Sequence, residues 1–352
     1  MGKRHRKSFG GAVKQSLFAA EEREDRIDKM GDPLLAIEQT IDFGAIAARV
    51  DEVAPRPSRA KGGRPPFPTD VMVRVLTLKH LYAIADEALE YQLLDRLSFQ
   101  RFCGLTDSSS IPDRTTVWTF EQRLREAGAE EVVFDEVQRQ INASGYIARR
   151  GQIVDATLVS APRQNLTKEE KAIRDEGATP AHWSPAQRRQ KDLDARWTKK
   201  HSKSYHGYKL SINADNRCKL IRRVHVSTAS EGDSLHFEGV LDPGNTGRDV
   251  YADKGYASAK REASLRERGF RPQIQRKDPP LGVLSMKEQD RNQRIAKTRA
   301  RVEHVFGGMG QMGAQALKTI GLGRARFQLT LRCAVYNMRR VTQLEAAGVR
   351  PF

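Results

Sequence analysis

The spacing of apolar residues divides the chain into a helical part and a part rich in strands. Apolar positions recur at helical spacing over residues 25–53 and again over 69–145, which predicts an all-α N-terminal region. After Tyr146 the pattern changes to short runs dominated by Val, Ile, Leu and Thr, which are typical of strands. The predicted strands are 151–160, 205–215, 219–228, 249–255 and 270–275.

The order of these elements predicts the architecture of the second part. Asp215 and Asn216 form a turn signal between the second and third strands, so the first three strands are expected to form an antiparallel meander. The order βββαβαβα with a mixed five-stranded sheet is that of a ribonuclease-H-like fold. The predicted helices of this part lie near 233–241, over 257–268, over about 286–306 and over about 327–347.

The helical part contains two helices joined by a polar turn, at 86–105 and 108–128. Arg114 and Thr115 lie near the start of the second helix, where side chains can reach base edges or phosphates. A DNA-binding helix-turn-helix is one interpretation, and an ordinary helical hairpin is the other, because such patterns arise by chance in many helical domains. The predicted organisation is a basic arm (1–20), a helical DNA-binding region (21–145) and a ribonuclease-H-like catalytic domain (146–345).

A polar, basic stretch at 163–204 separates the first two predicted strands and shows little apolar periodicity. We expect a surface insertion that is ordered only in part without a ligand. Trp183 and Trp197 lie within it, and they are candidates for stacking on an unpaired DNA base. The alternative is that both tryptophans belong to the core.

The charge of the chain points to nucleic acid as a partner. Lysine and arginine total 61 against 44 acids, which gives a net charge of +17. Clustered cations gain affinity for DNA by releasing counterions, although a merely basic soluble enzyme is the alternative. The first 16 residues are either an arm that touches phosphates or a solvated tail. The Pro- and Gly-rich stretch 54–68, with Lys61 and Arg64, is either a linker or a loop lying on DNA.

Cysteine use and hydropathy exclude several classes of protein. The three cysteines are far apart and form no CxxC pair, so we expect reduced, largely buried thiols rather than disulfides or a zinc site. No run of about 18 apolar residues exists, so no membrane partner is expected. These features predict a cytoplasmic, nucleoid-associated protein.

Three acids stand out as candidate metal ligands. Asp155 interrupts an apolar strand, Asp253 follows the short run Val250–Ala252, and Glu303 lies in a strongly basic stretch. Each has an ordinary alternative: a solvent-facing edge acid, a helix cap, and an ion pair with Arg299. Carboxylates that converge from two strands and a helix are the ligand set for two Mg²⁺ ions, which stabilise the attacking and leaving oxygens of a phosphoryl displacement.

The segments VDATLV, HGYKLSINAD, STASEGDS, VYADKGY and RARVEHVFGGM resemble, in order, those of bacterial DDE transposases of the insertion-sequence-five family. The resemblance spans about residues 60–345 and implies Asp155, Asp253 and Glu303 as the catalytic triad. It also implies that the chain acts as a dimer or larger synaptic complex. The family's tyrosine–arginine–glutamate–lysine signature is kept only in part: Arg299 and Glu303 match it, whereas Ala296 and Gly310 replace the tyrosine and the lysine. Candidates for the missing DNA contacts are Tyr256, His304 and Lys297, with Arg299, Lys209 and Lys254 as further DNA-binding residues.

The combined prediction is a DNA transposase that binds terminal inverted repeats, uses Mg²⁺ with Mn²⁺ as a substitute, and frees 3′-hydroxyls that attack target DNA. A structure-selective nuclease of the same fold is one alternative. A DNA-binding or repressor protein with a vestigial active site is the other, and the intact set of three acids argues against it.

Overall fold

The computed structural model describes residues 16–57, 62, 65–200 and 202–352. Most of the predicted basic arm lies outside the described residues, as do the candidate DNA contacts Lys61 and Arg64. Across the described ranges, no helix is both long and apolar enough to cross a membrane. The three cysteines are unbridged and buried, as their spacing predicts.

The N-terminal region is helical, as predicted, and side-chain caps fix where several of its helices begin. Asp113 Oδ1 accepts a hydrogen bond of 2.6 Å from the amide of Thr116, so Asp113 caps the helix that starts at Arg114. The single helix predicted at 86–105 is instead two helices, because the backbone of Arg96 is extended. The helices described here are α1 (Ala19–Met30), α2 (Pro33–Thr40), α3 (Phe43–Val53), α4 (Thr69–Leu81), α5 (Asp86–Asp95), α6 (Leu97–Cys103), α7 (Arg114–Glu126) and α8 (Ala129–Ala143).

The second region is built on a mixed sheet, which confirms the predicted fold class. The described sheet has six strands rather than five, because a short strand inside the insertion was not predicted. The strands are β1 (Gln152–Ser160), β2 (Arg196–Lys200), β3 (Lys203–Asp215), β4 (Ile221–Thr228), β5 (Asp249–Ala252) and β6 (Arg271–Ile274). Their order is β2-β3-β1-β5-β6, and β4 also pairs with β3.

The pairing of the strands places β1 at the centre of the sheet. β1 is antiparallel to β3 on one side and parallel to β5 on the other. Gly207, at the crossing of β1 and β3, has φ +152°, and a Cβ there would lie 2.1 Å from the carbonyl oxygen of Val159. Only glycine allows this close approach of the two backbones.

Helices pack on the sheet, and two of the helix predictions need correction. The predicted helix at 233–241 is only a 3₁₀ turn, Asp233–His236. The predicted long helix at 286–306 is divided at Ala300 into two helices. The remaining helices are α9 (Lys168–Asp175), α10 (Pro185–Gln190), α11 (Ala259–Glu267), α12 (Met286–Arg299), α13 (Arg301–Gln311) and α14 (Leu322–Ala346).

The long helix α14 joins the two regions through a shared core. It packs against α2, α4 and α8 on one side and against β4 on the other. One cluster of buried apolar side chains extends from Leu34 to Leu344. Within it, the amide group of Asn337 pairs with the backbone of Ile221, donating at 2.7 Å and accepting at 2.9 Å. The predicted domain boundaries stay a prediction, since burial is continuous across residue 145.

The insertion contains regular structure that its sequence did not predict. Thr167 and Ser184 each begin a short helix with a capping box, and β2 attaches the end of the insertion to β3. Trp183 is 3% exposed, and its Nε1 donates a hydrogen bond of 2.6 Å to Glu170. Its ring therefore packs inside the insertion and offers no free face to a base, which corrects the stacking prediction for this residue.

Candidate active site

The register of the parallel pair β1–β5 brings two of the three predicted acids together. Ile153 lies opposite Tyr251, so two residues further along each strand Asp155 comes beside Asp253. Asp253 directly follows β5, where the chain turns into the 3₁₀ segment Lys254–Tyr256. A carboxylate at the end of a parallel strand is a usual place for a functional group in α/β sheets.

The carboxylate of Asp155 is largely buried and forms an ion pair with an arginine. Its side chain is 17% exposed, and Oδ2 accepts a hydrogen bond of 2.6 Å from Nη1 of Arg299. Its Oδ1 accepts a second, of 2.9 Å, from the amide of Ala156. Burial raises the pKa of the Asp155 carboxyl; Arg299 opposes this shift, and the neighbouring charge of Asp253 adds to it.

Tyr256 forms the buried wall of this site. It is 2% exposed, packs its ring 5.3 Å from that of Phe237, and has no hydrogen-bond partner for its hydroxyl among the described residues. Burial raises the pKa of the phenol, and the charges of Asp155, Asp233 and Asp253 raise it further. The hydroxyl is therefore a neutral donor that lies close to three carboxylates. The prediction that Tyr256 contacts the DNA ends is corrected, because its ring and hydroxyl are buried.

The third predicted acid, Glu303, is not brought to this pair. Within the described ranges, no three His, Cys, Asp or Glu side chains form a group that could hold a metal ion. Val302 and Val305 occupy the buried face of α13, which leaves Glu303 exposed. Glu303 instead lines a cavity of about 460 Å³ with Lys219, Tyr336, Arg339 and Arg340.

Of three other residues predicted to contact DNA, one is buried and two are exposed. Lys209 is buried, and its ammonium pairs with Asp233 at 2.6 Å, so it holds the 3₁₀ turn at 233–236 and is not free for DNA. Lys254 and His304 are exposed, the first directly after Asp253 and the second beside Glu303.

Three further predicted contacts have free or partly free surfaces. Arg114 and Thr115 are exposed on α7, and Arg114 Nη1 lies 2.6 Å from Glu87. Trp197 is 43% exposed, and its ring centroid lies 5.1 Å from that of His206.

Sequence reasoning missed two charged residues near the site. Asp233 raises the pKa of Tyr256, and Lys200, at the end of β2, lowers that of Asp155. Asp233 belongs to the motif STASEGDS, so the resemblance contained a signal for it. No signal in the sequence pointed to Lys200, because strand β2 was not predicted.

The acid pair has the chemistry of a divalent cation site. Carboxylate oxygens are the hard ligands that Mg²⁺ and Mn²⁺ prefer, and water and phosphate oxygens normally complete the coordination. The ion pair between Asp155 and the guanidinium of Arg299 shows that the site accommodates positive charge. Asp155 and Asp253 therefore fit a divalent metal, whereas Glu303 in its present place does not contribute to it.

Comparison with known protein families identifies the class. A family model described as the transposase DDE domain matches residues 147–338, and a second, described as a transposase domain, matches residues 21–123. The chain therefore belongs to the DDE transposases, and its function is that of a DNA transposase. Membership implies nuclease and transesterase chemistry that depends on a divalent metal. The predicted insertion-sequence DDE transposase is confirmed, and the insertion-sequence-five subfamily stays a prediction.

One solved structure is similar to the chain over much of its length. The cryo-EM structure of a piggyBac transposase synaptic complex with hairpin DNA shares 12% identity at a TM-score of 0.47, covering 91% of this chain and 77% of that one. A similarity at this level supports no inference about the chemistry or partners of this protein.

Proposed function

We propose that Asp155 and Asp253 hold the metal at which this transposase cuts and joins DNA strands, with Mg²⁺ as the metal and Mn²⁺ as a substitute. The observation that carries the proposal is the proximity of Asp155 on β1 to Asp253 directly after β5, with Asp155 bound to Arg299. When bound, the metal would activate the attacking oxygen and stabilise the leaving oxygen of the phosphodiester.

The residues around the pair each have a physical task. Arg299 offsets the cost of ionising the buried Asp155. Tyr256 closes the inner side of the site and excludes water, while its neutral hydroxyl can donate to a carboxylate of the acid pair. Lys254 is exposed next to Asp253, so its ammonium can contact the phosphate of a bound strand.

The substrate in this proposal is the terminal inverted repeat of the element, and the product strand then attacks target DNA. The basic surface supplies sequence-independent affinity for the backbone of both DNAs. Two ends must be held together for a complete transposition, so the working assembly is a homodimer or a larger synaptic complex. Glu303 is retained as the proposed third acid, and it reaches the pair only if α13 changes its position at Ala300.

The test measures cleavage of duplexes that carry the ends of the element, found as inverted repeats flanking its gene. Asp155→Asn and Asp253→Asn should each lower cleavage by at least about a hundredfold, because charge stabilisation of the reacting oxygens is lost. The matched control is Asp249→Asn, an acid of the same strand β5 that pairs with Arg271 at 2.6 Å at its other end. Wild-type cleavage by either site variant, or full cleavage in EDTA, would refute the proposal.

A second measurement separates the transposase from a plain nuclease. A pre-cut end with a free 3′-hydroxyl is supplied together with plasmid DNA and Mg²⁺. Joined products are expected from the wild type and not from Asp155→Asn. Cleavage of ends without any joining would leave only the nuclease part of the proposal standing.

A further inference from the structure

A second concave site lies between the N-terminal helices and the C-terminal part of the chain. Its volume is about 560 Å³, within the range of roughly 300–1,000 Å³ that is usual for small-molecule sites. Helices α4 and α7 form one wall, and residues 313–332 form the other. We call it the Trp118 cavity, because the indole of Trp118 stands at its mouth.

Cations without acidic partners line this cavity. Arg125, Lys318 and Arg324 form no ion pair with any described acid, and Arg332 is near the carboxylate of Glu121 without pairing with it directly. The one lysine at the wall that is paired, Lys79, contacts Asp86 at 2.5 Å and Glu121 at 2.6 Å, so these two acids already share a cation. Unpaired positive charge around a concavity favours an anionic ligand.

Buried polar groups in the same cavity lack partners. His80 is 1% exposed, and neither of its ring nitrogens has a hydrogen-bond partner among the described residues. Burial lowers the pKa of His80 well below its usual range, so the ring is neutral and offers one donor and one acceptor. The Nε of Arg332 is likewise buried and unpartnered. An orphaned donor inside a cavity costs free energy unless a ligand or water satisfies it.

Trp118 supplies an aromatic face. It is 52% exposed and shares its helical face with Gln122 and Arg125, which follow it at one and two turns along α7. On its other side the indole borders a second concavity of about 460 Å³, lined also by Arg114 and Thr115. An exposed indole between two concavities can accept a flat ring.

The cavity is connected to the strand that carries Asp155. Ser160, the last residue of β1, bridges to Ala316, and its amide donates a hydrogen bond of 2.9 Å to Gln315. Ala316 also lines the cavity. Asp155 lies five residues back along β1 from Ser160, which is roughly 17 Å at about 3.3 Å per residue.

We propose that the Trp118 cavity binds one nucleotide of an unpaired DNA strand, with the base on the indole of Trp118 and the phosphate on Lys318 and Arg324. His80, Gln122 and Gln328 are placed to meet the edges of the base. The assignment to an unpaired strand follows from the buried polar lining, which a base stacked inside a duplex does not reach. The site is separate from the acid pair, and binding there requires no metal chemistry.

The test measures binding of the full-length chain to a short oligothymidine and to a duplex of scrambled sequence, in EDTA so that no cleavage occurs. Trp118→Ala should weaken oligothymidine binding by about five- to a hundredfold, the usual effect of losing one base–aromatic stack. The pair Lys318→Ala with Arg324→Ala should weaken it similarly and reduce its dependence on salt. Duplex binding should change by less than about threefold in both.

Tyr91→Ala is the matched control, because it removes an exposed aromatic side chain on α5 that does not line the cavity. Melting curves establish that each variant is folded. Oligothymidine binding at wild-type strength by both cavity variants would overturn the proposal, as would equal losses for the duplex, which would indicate a groove for paired DNA. Asp155→Asn should bind oligothymidine as the wild type does, so failure of the metal proposal does not affect this result.

Discussion

Nη1 of Arg299 donates a hydrogen bond of 2.6 Å to Oδ2 of Asp155, joining helix α12 to the central strand across 144 residues of chain. The pair places a permanent positive charge on one oxygen of the acid that we propose as a metal ligand. A divalent ion that binds this oxygen must compete with the guanidinium. The ion pair therefore sets the metal affinity of the site in addition to supporting the fold.

Metal binding should stabilise the protein. At a concentration of Mn²⁺ about a hundredfold above its dissociation constant, we expect about 2.7 kcal/mol of added stability in the wild type and none in Asp155→Asn or Asp253→Asn. Differential scanning calorimetry with and without Mn²⁺ measures the effect, with Asp249→Asn as the control. An equal rise in melting temperature for all variants would place the metal elsewhere.

The metal-free protein should respond to pH through Asp155. Because burial raises the pKa of this carboxyl in the folded state, its stabilising contribution is complete below the unfolded pKa and is lost as pH rises through the folded one. Asp155→Asn lacks this loss, so its stability relative to the wild type should increase with pH over that window. Denaturant unfolding at several pH values in EDTA gives the difference, and a constant offset across the window would contradict the prediction.

Glu303 should matter for cleavage and not for stability. Because the side chain is exposed, Glu303→Gln should change the free energy of unfolding by less than about 0.5 kcal/mol. If Glu303 is the third acid, as the resemblance implies, the same variant should lose end cleavage while keeping the stabilisation by Mn²⁺. Cleavage assays and melting curves on one preparation decide between these roles. Cleavage at the normal rate would remove Glu303 from the site.

Trp183 should be a structural residue of the insertion. Trp183→Ala removes a buried indole and one of the hydrogen-bond donors to Glu170, so we expect a local loss of about 3–5 kcal/mol. Hydrogen exchange over residues 163–204 measures the local opening. Trp197→Ala, whose ring is partly exposed, should leave exchange there nearly unchanged. Similar protection in both variants would contradict the assignment.

Recognition of the element's ends should depend on α7. Arg114→Ala should lower affinity for the inverted repeat by about 1–3 kcal/mol if the side chain reads a base, with a much smaller effect on scrambled duplex. Arg266→Ala, an exposed arginine that pairs with Glu262 at 3.0 Å on α11, is the control. Point variants are the suitable tool, because a fragment starting at residue 146 would expose the face of α14 that packs on α8. Equal losses on both DNAs would make Arg114 a phosphate contact.

The parts of the site that the sequence predicts are those set by local pattern. Asp155 interrupts an apolar strand and Asp253 ends one, and strand register then determines that they meet. The direction in which Glu303 points depends on the rotation of its helix. The break between α12 and α13 at Ala300 has no proline or glycine to signal it. An error of one residue in phase moves a side chain by about 100° around the helix.

The prediction of DNA contacts from residue type alone was wrong for three residues: Tyr256, Lys209 and Trp183. Each was chosen because aromatic rings and cations bind DNA, yet all three are buried with protein neighbours. Burial depends on which elements pack together, and for Trp183 those elements are two short capped helices that carry little apolar periodicity. Trp118 shows the opposite case, because it lies outside the buried stripe of α7 formed by Val117, Phe120 and Leu124, and its side chain is exposed.

The shared core around α14 has a genetic consequence. Thirteen of the 25 residues of this helix are buried, against partners drawn from both the N-terminal helices and the sheet. A reading frame interrupted before Leu322 would leave those partners uncovered, and such apolar surface leads to aggregation or proteolysis. Decayed copies of the element with a premature stop should therefore yield no stable competitor for DNA ends, and should not act as dominant inhibitors of an intact copy.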